Sequence, residues 1–479
     1  MALAASFRDP AGFCFALDGR ILRVVGSASV AELEAFLGSS AAAELTSRRQ
    51  LIGTRKLDAA ELVQLNGQAE FQKLTAGVEP AAVFEHDRVV FPSYPYEWPP
   101  EMLHAAGMLT LDLAQASGEF GLKDATPGNV LFRGAEPVFI DVLSFERRVA
   151  GDAVWKPCAQ FVRTFLLPLL AARHWGLRLT DIFTTHRDGL EPEEVYRLCG
   201  PVKKLLPPLL TLVSLPVWLA HNSQRPGATL YQTAPLADAE KARFILQSLF
   251  NRLRRTLARL EPPAQKNSVW SDYMRTHSYT EGTFAEKQEF VRAALRELQP
   301  ARVLDMGANT GHFSALAAEA GAQVVAIDSD AACVGAIWRL ARNRKLNVLP
   351  LVVDIARPSA SLGWRNRECP GFLARATGAF DAVFMLAVLH HLLVTERVPL
   401  NEVMDLAAEL TTDALIIEFV APEDEMFRRL TRGRDHLFTG LNQTVFETAG
   451  RRRFEIQRSI HFANTHRWLY LLRKKDRAR

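Results

Sequence analysis

Arg302-Val303-Leu304-Asp305-Met306-Gly307-Ala308-Asn309-Thr310-Gly311-His312-Phe313 reads as a buried strand that runs into a tight glycine turn and then into a helix. A turn that carries a ligand on its backbone needs glycine, because a Cβ would collide with the ligand and because the turn can demand positive φ. Gly307 and Gly311 are placed for those roles. Alone, such a loop is equally a plain strand-turn-helix connection, so the flanking segments decide.

The next strand, Gln323-Val324-Val325-Ala326-Ile327-Asp328, ends in an acid 23 positions after Asp305. That is close to the spacing of about 20 at which a carboxylate meets ribose hydroxyls in an open sheet. A third strand, 348–353, ends in Asp354, where a carboxylate can accept a hydrogen bond from an adenine amino group. A fourth, 380–386, runs into Ala387-Val388-Leu389-His390-His391. With a helix at 284–298 before the first strand and helices between the others, the pattern predicts an α/β unit with a mainly parallel sheet and helices on both faces. Polar residues close strand after strand at the carboxyl edge, where open α/β sheets bind ligands. The G-x-G-x-x-G of dinucleotide-binding dehydrogenases is absent, since position 309 is Asn.

The combination of Asp-x-Gly-x-x-x-Gly, an acid after the second strand, an acid after the third and Leu-His-His after the fourth resembles class I S-adenosylmethionine-dependent methyltransferases acting on small molecules. The resemblance implies that Asp305 faces the amino-acid end of S-adenosylmethionine, Gly307 and Gly311 line the turn, Asn309 shapes the loop, Asp328 holds the ribose and Asp354 meets the adenine. Methyl transfer is an in-line displacement from a cationic sulfonium, so the enzyme positions the nucleophile and, where that is a hydroxyl, removes its proton. His390 and His391 stand where such a base belongs. Adjacent residues on a strand or helix point apart, so at most one reaches the substrate while the other packs or caps; two structural histidines are the alternative. Around these motifs, Trp270-Ser271-Asp272-Tyr273, His277-Ser278-Tyr279, Pro358-Ser359, Leu362-Gly363-Trp364 and Ile416-Ile417-Glu418-Phe419-Val420 are similar to the long bacterial methyltransferases that include rhizobial host-specific nodulation proteins. That likeness names no acceptor. Glu418, closing the fifth strand, either faces the acceptor pocket or is a packing acid.

A second signal lies in the first half: Gly121-Leu122-Lys123-Asp124-Ala125-Thr126-Pro127-Gly128-Asn129-Val130-Leu131-Phe132, followed by Pro137-Val138-Phe139-Ile140-Asp141. It resembles the catalytic loop and metal strand of the protein-kinase-like fold, in its aminoglycoside and choline phosphotransferase branch. The resemblance implies that Asp124 orients an attacking hydroxyl, Asn129 binds metal and Asp141 bridges magnesium to the phosphates of ATP. Several features depart from that pattern. Leu122 stands where His or Tyr is usual, no Phe-Gly follows Asp141, and no glycine-rich loop precedes Val90. No lysine marks a third strand, leaving Arg23 and Lys56 as the available cations. The apolar-aromatic stretch 91–98 falls where a hinge between lobes would lie. Two readings stay open: an active phosphotransferase, or a nucleotide-free scaffold that presents substrate to the methyltransferase.

At 479 residues the chain exceeds what one hydrophobic core supports. Three segments follow: an α+β, kinase-like region over 1–150 with short β-like runs at 20–25 and 88–91, a helical continuation over 151–262 with helices at 159–172 and 236–260, and the methyltransferase over 263–479. The adjacent prolines and polar residues of 261–268 mark the break. With 48% apolar and 23% charged residues the composition is that of a folding globular protein. A formal charge of +4 implies no long-range field of the kind that gathers nucleic acid or anionic membrane. The basic clusters at 451–453 and 473–479 read as a solvated face and a frayed terminus, although either could touch phosphate. Five scattered cysteines without metal spacing support neither a disulfide framework nor a zinc site, and a reducing cytoplasm fits them best. The first residues lack the pattern of a secretory signal. The most apolar stretch, 205–220, is shorter than the roughly 20 residues of a spanning helix and contains Pro207, Pro208 and Pro216. Buried helix pieces are expected there, with a seat against a membrane as the alternative.

Function at this stage is methylation of a small-molecule or glycan-precursor acceptor beside a kinase-like partner domain. The alternatives are a bifunctional methyltransferase and phosphotransferase, and an RNA or protein methyltransferase whose first half is a binding module. The near-neutral charge argues against the last. Nothing in the motifs specifies an oligomeric state.

Overall fold

Residues 4–6, 8–76, 80–222, 236–263 and 281–475 are described in the structure, a computed structural model. They belong to two units, the first comprising Met1–Arg133, Pro137–Pro263 and Leu362–Cys369, the second Gly134–Glu136, Ala264–Ser361 and Pro370–Arg479. The motifs at 270–273 and 277–279, the linker residues 264–268 and the tail beyond Lys475 lie outside the described residues.

The first unit is built on an antiparallel sheet of β1 (Ala4–Ser6), β2 (Gly12–Leu17), β3 (Arg20–Val25), β4 (Thr54–Lys56) and β5 (Ala82–His86), in the order β1-β2-β3-β5-β4. Alternation along the strands aims Phe15, Leu17, Leu22, Val24 and Val83 at one face, where they pack with Leu65 and Phe71 from the helices Ala59–Asn66 and Ala69–Leu74. Helix Ser27–Leu37 follows β3 directly. The run 88–91, expected to be extended and paired, is loop: β5 ends at His86, and Val90 is exposed ahead of Pro92. The pairing strand is the apolar segment just before it, which matches β3 residue for residue from Ala82 to His86. Next come β6 (Phe120–Leu122), β7 (Val130–Arg133), β8 (Glu136–Phe139) and β9 (Phe145–Arg147), with β6 pairing β9 and β7 pairing β8.

Residues 158–175 are continuously helical, with a wider turn at Val162–Leu166, and end at Gly176 in the left-handed region (φ 67°). The helix expected over 236–260 starts at Ala239, because the Asp238 side chain accepts from the amides of Glu240 and Lys241 and so caps it. Within 205–220, Leu209, Val213 and Val217 are buried as expected, but Leu205, Leu206 and Leu215 face outward. Glu368, 9% exposed, is gripped by Arg8 (2.5 Å) and Arg187 (2.6 Å), which holds Leu362–Cys369 in this unit.

In the second unit β10 (Arg302–Met306), β11 (Gln323–Asp328), β12 (Val348–Val352), β13 (Phe380–Met385) and β14 (Thr411–Val420) run parallel, while β15 (Phe454–His461) and β16 (Arg467–Lys474) close one side antiparallel. The order is β12-β11-β10-β13-β14-β16-β15. Near-continuous apolar runs such as Val303-Leu304 and Leu415-Ile416-Ile417 suit strands buried on both faces. Chain direction away from β10 reverses between β11 and β13, so a crevice forms at their carboxyl ends, the place where open sheets bind ligands.

Candidate functional site

β10 delivers its last residues into that crevice. Asp305 is 2% exposed and accepts a 2.5 Å hydrogen bond from Ser314 Oγ of helix His312–Glu319. Burial pushes its carboxyl up to about 6, against the Ser314 bond and with help from the Asp328 charge. The turn that follows is anchored when the amides of Gly307 and Ala308 both donate to Ile327 O, at 2.9 and 3.0 Å. Gly307 (φ 68°), Asn309 (φ 50°) and Gly311 (φ 83°) all lie in the left-handed region. A Cβ on Gly307 would stand 3.0 Å from Val388 Cγ2, and one on Gly311 3.0 Å from Ile337 Cγ1. Positive φ and the neighbouring side chains each favour glycine at these two positions.

Asp328 closes β11, and both its oxygens take backbone amides: Oδ2 from Asn309 (2.9 Å) and Oδ1 from Asp330 (2.9 Å). Burial still lifts its carboxyl to about 6. Asp354 stands two residues past the end of β12; Oδ1 accepts from Ala356 N (3.0 Å), and Arg357 pairs with Oδ2 (2.8 Å) in a half-open setting.

At the end of β13, Ala387 takes φ 61° and turns the chain into helix Leu389–Val394. His390 and His391 open this helix with ring centroids only 4.4 Å apart, so the expectation that neighbours point apart does not hold here. His390 is 1% exposed, and among the described residues neither ring nitrogen has a hydrogen-bond partner. Burial, then the charges of His391, Arg467 and Lys287, hold it well below the ordinary histidine range; burial alone takes His391 to about 4. Both rings are therefore neutral at pH 7.

Glu418 does not end its strand, which continues to Val420. Fully buried, it accepts from Lys287 Nζ at 2.6 Å and has Arg467 Nη1 at 3.6 Å; Arg467 in turn forks onto Asp424 at 2.8 and 3.0 Å. Lys287 and Arg467 were not singled out by sequence. A lone acid inside an apolar strand signals that a counter-charge exists, but not where in the chain it lies.

In the first unit Asp124, Asn129 and Asp141 come together. Asn129 Nδ2 donates to Ser144 Oγ (3.3 Å), which donates to Asp141 Oδ2 (2.6 Å), while the Asp141 charge joins burial in raising the Asp124 carboxyl. Arg23 of β3, 6% exposed, reaches Asp141 Oδ1 at 3.1 Å and also donates to His86 Nε2 at 3.0 Å. An arginine amid Leu22, Val24 and Val25 was the sequence signal for it. Lys56 lies apart, exposed and paired with Glu34.

Two buried acids near adjacent strand ends suit a cationic cofactor: burial pushes both carboxyls up, and a nearby positive charge would favour their ionised forms. Residues 276–472 match the family model described as Methyltransferase domain. Over 477 residues the chain is 30% identical to nodulation protein NoeA of Rhizobium meliloti strain 1021, spanning 99% of this chain and 96% of that protein. Among solved structures it is similar to the N-methyltransferase NodS of Bradyrhizobium japonicum WM9 (17% identity, 41% of this chain and 98% of that one, TM-score 0.31). It is similar as well to the magnesium protoporphyrin IX methyltransferase of Synechocystis PCC 6803 with bound SAH (22%, 49% and 97%, TM-score 0.31). A third is the bifunctional kinase-methyltransferase WbdD (21%, 42% and 41%, TM-score 0.29). The chain belongs to the family of nodulation protein NoeA, and it is an S-adenosylmethionine-dependent methyltransferase.

Proposed function

We propose that the second unit transfers a methyl group to a hydroxyl of a small-molecule or glycan-type acceptor, with His390 as the proton acceptor. The observation that carries this is His390 itself: a fully buried imidazole whose two nitrogens lack partners among the described residues, at the sheet edge that bears Asp305 and Asp328. An unsatisfied buried polar group is costly, and catalytic use is one of the few reasons such groups persist. In this reading Asp305 receives the cofactor's amino-acid end, Asp328 its ribose and Asp354 its adenine, with Gly307, Asn309 and Gly311 shaping the loop beneath. When bound, S-adenosylmethionine supplies a methyl group on a cationic sulfonium. The protein's own contribution is to hold the acceptor in line and receive its proton. A near-neutral chain favours a small acceptor over nucleic acid. The test is incubation of the purified protein with S-adenosylmethionine and a small-molecule extract, read by mass spectrometry. A gain of about 14 Da in an extract component is expected, and its retention in a His390→Ala variant at wild-type rate would remove the base assignment.

A second reading, phosphotransfer in the first unit, is favoured by the Asn129-Ser144-Asp141-Arg23 chain of contacts. The Asp141 carboxylate and the Asn129 amide oxygen suit magnesium held together with phosphates. In that role Asp124 would orient the attacking hydroxyl, Asn129 and Asp141 would hold the metal, and Arg23 would stand where a lysine is usual. Protection of the protein by ATP with magnesium is its test.

A further inference from the structure

We propose that the segment 198–219 of the first unit is a seat for an anionic lipid surface. Its inner side is ordinary core: Leu209, Val213 and Val217, four residues apart, are buried. The outer side is apolar too. Val202 is 71% exposed, Leu205 61%, Leu206 52%, Leu215 40% and Trp218 37%. Leu215 and Trp218 share the solvent side of helix Leu215–Asn222, and Val202, Leu205 and Leu206 come from the turn Lys203–Leu205 and its flanks. Helices apolar all round are stable in a core or against lipid, and water-facing patches of this kind on soluble proteins mark interaction sites.

Charge selects the occupant. From Val195 to Ala237 the sequence has no Asp or Glu, yet it carries Arg197, Lys203, Lys204 and Arg225. Among the described residues Lys203 and Lys204 form no ion pair; their ammonium groups lie over the rings of Trp175 and Tyr196, at 5.1 and 3.7 Å. Half-buried stems with cationic heads beside exposed leucines and a tryptophan are the composition of an interfacial segment. A second protein surface would more often meet lysines with acids of its own, and a second copy of this acid-free segment would set lysine against lysine. Among the described residues no helix is long and apolar enough to cross a membrane, so the contact is a surface one.

The experiment is co-sedimentation of the full-length protein with vesicles of phosphatidylglycerol and phosphatidylcholine, and with phosphatidylcholine alone, at low and high salt. Binding is expected to the anionic vesicles and to weaken with salt. Leu205→Glu with Leu215→Glu should abolish it while circular dichroism and cofactor affinity are retained. Should that variant misfold, Lys203→Gln with Lys204→Gln, which leaves the apolar side intact, should weaken binding by about five-fold for each lysine removed. Three outcomes would overturn the proposal: protein left in the supernatant with both vesicle types, equal binding to both, or a dimer that the leucine variant dissociates and that does not bind vesicles.

Discussion

Lys287 Nζ donates to Glu418 Oε2 across 2.6 Å with the two side chains 4% and 0% exposed. Removing one partner of such a pair leaves the other charged and dry, whereas removing both spares that penalty. Glu418→Gln should therefore destabilise the protein by about 3–5 kcal/mol in denaturant unfolding. Lys287→Met combined with Glu418→Leu should cost less than the two single changes added. Strict additivity in that double-mutant cycle would show that the pair is not coupled.

For the ribose acid, the amides of Asn309 and Asp330 make the prediction sharper. Asp328→Ala strips both amides of their acceptor as well as removing the group proposed to hold the ribose. The unpaired amides should lower stability, and cofactor affinity should fall by about 1–3 kcal/mol for each ribose hydroxyl left without its acceptor. Asp328→Asn keeps one acceptor oxygen and should retain part of it. Calorimetry that finds wild-type affinity in the Ala variant would end the ribose assignment.

A pH dependence follows from the two acids. Burial raises Asp305 and Asp328 to about 6, so the cofactor-free protein holds protons that an unfolded chain has released. Their contribution to stability is complete below the unfolded carboxylate range and is lost as pH rises through about 6. A cationic cofactor needs the ionised forms. Affinity for S-adenosylmethionine should therefore weaken as pH falls below about 6, with proton release on binding near that pH and little at pH 8. Titrations in buffers of different ionisation enthalpy check this, and Asp328→Asn should remove part of the proton release.

The parallel strands of the second unit were legible as short apolar runs, and β11 begins and ends where its pattern does, at Gln323 and Asp328; β15, whose burial alternates along Phe454–His461, and β16 offered no such reading and were not anticipated. In the first unit the pattern misled at 88–91, where the apolar run Val89-Val90-Phe91 looks paired but the hydrogen-bonded register stops at His86. The places of Asp305, Asp328 and the histidines could be read because open α/β sheets set polar residues at the carboxyl ends of their strands. Lys287, Arg467, Ser314 and Ser144 could not. Each acts on a partner distant in sequence or across a turn, and nothing local distinguishes it from a surface polar residue. Arg23 lies between these cases, since a charge in a buried strand asks for an explanation that only the fold supplies.

The two histidines separate by their surroundings. Among the described residues His390 has no hydrogen-bond partner to lose, so His390→Ala should cut turnover strongly while leaving cofactor affinity unchanged. Both rings have depressed folded pKa values, so the stability they contribute is present above pH 6.5 and is lost as pH falls, for His391 through about 4. Replacing His390 by Leu should therefore make thermal stability less sensitive to acid between pH 6.5 and 4. Turnover retained in that variant would leave His390 a packing residue.

The sharpest test of the first unit is Asp141, because its two oxygens are already spoken for: Oδ1 by Arg23 at 3.1 Å and Oδ2 by Ser144 at 2.6 Å. If phosphates and magnesium are to bind there, Asp141 must bridge them while Arg23 turns toward the phosphates, a charge it can meet in bidentate fashion. Asp141→Asn nearly preserves shape but removes the anion, so it should abolish protection by ATP with magnesium. Arg23→Met should behave differently: it strips the partner from a carboxylate that is 21% exposed, leaving more negative charge for the metal but less positive charge for the nucleotide. Magnesium alone would then bind no worse, and ATP with magnesium would bind more weakly. Thermal shift across the three proteins reads all of this directly. A wild type that does not respond to millimolar nucleotide, with both variants merely less stable, would make Arg23 and Asp141 a structural ion pair and the first unit a scaffold beside the methyltransferase.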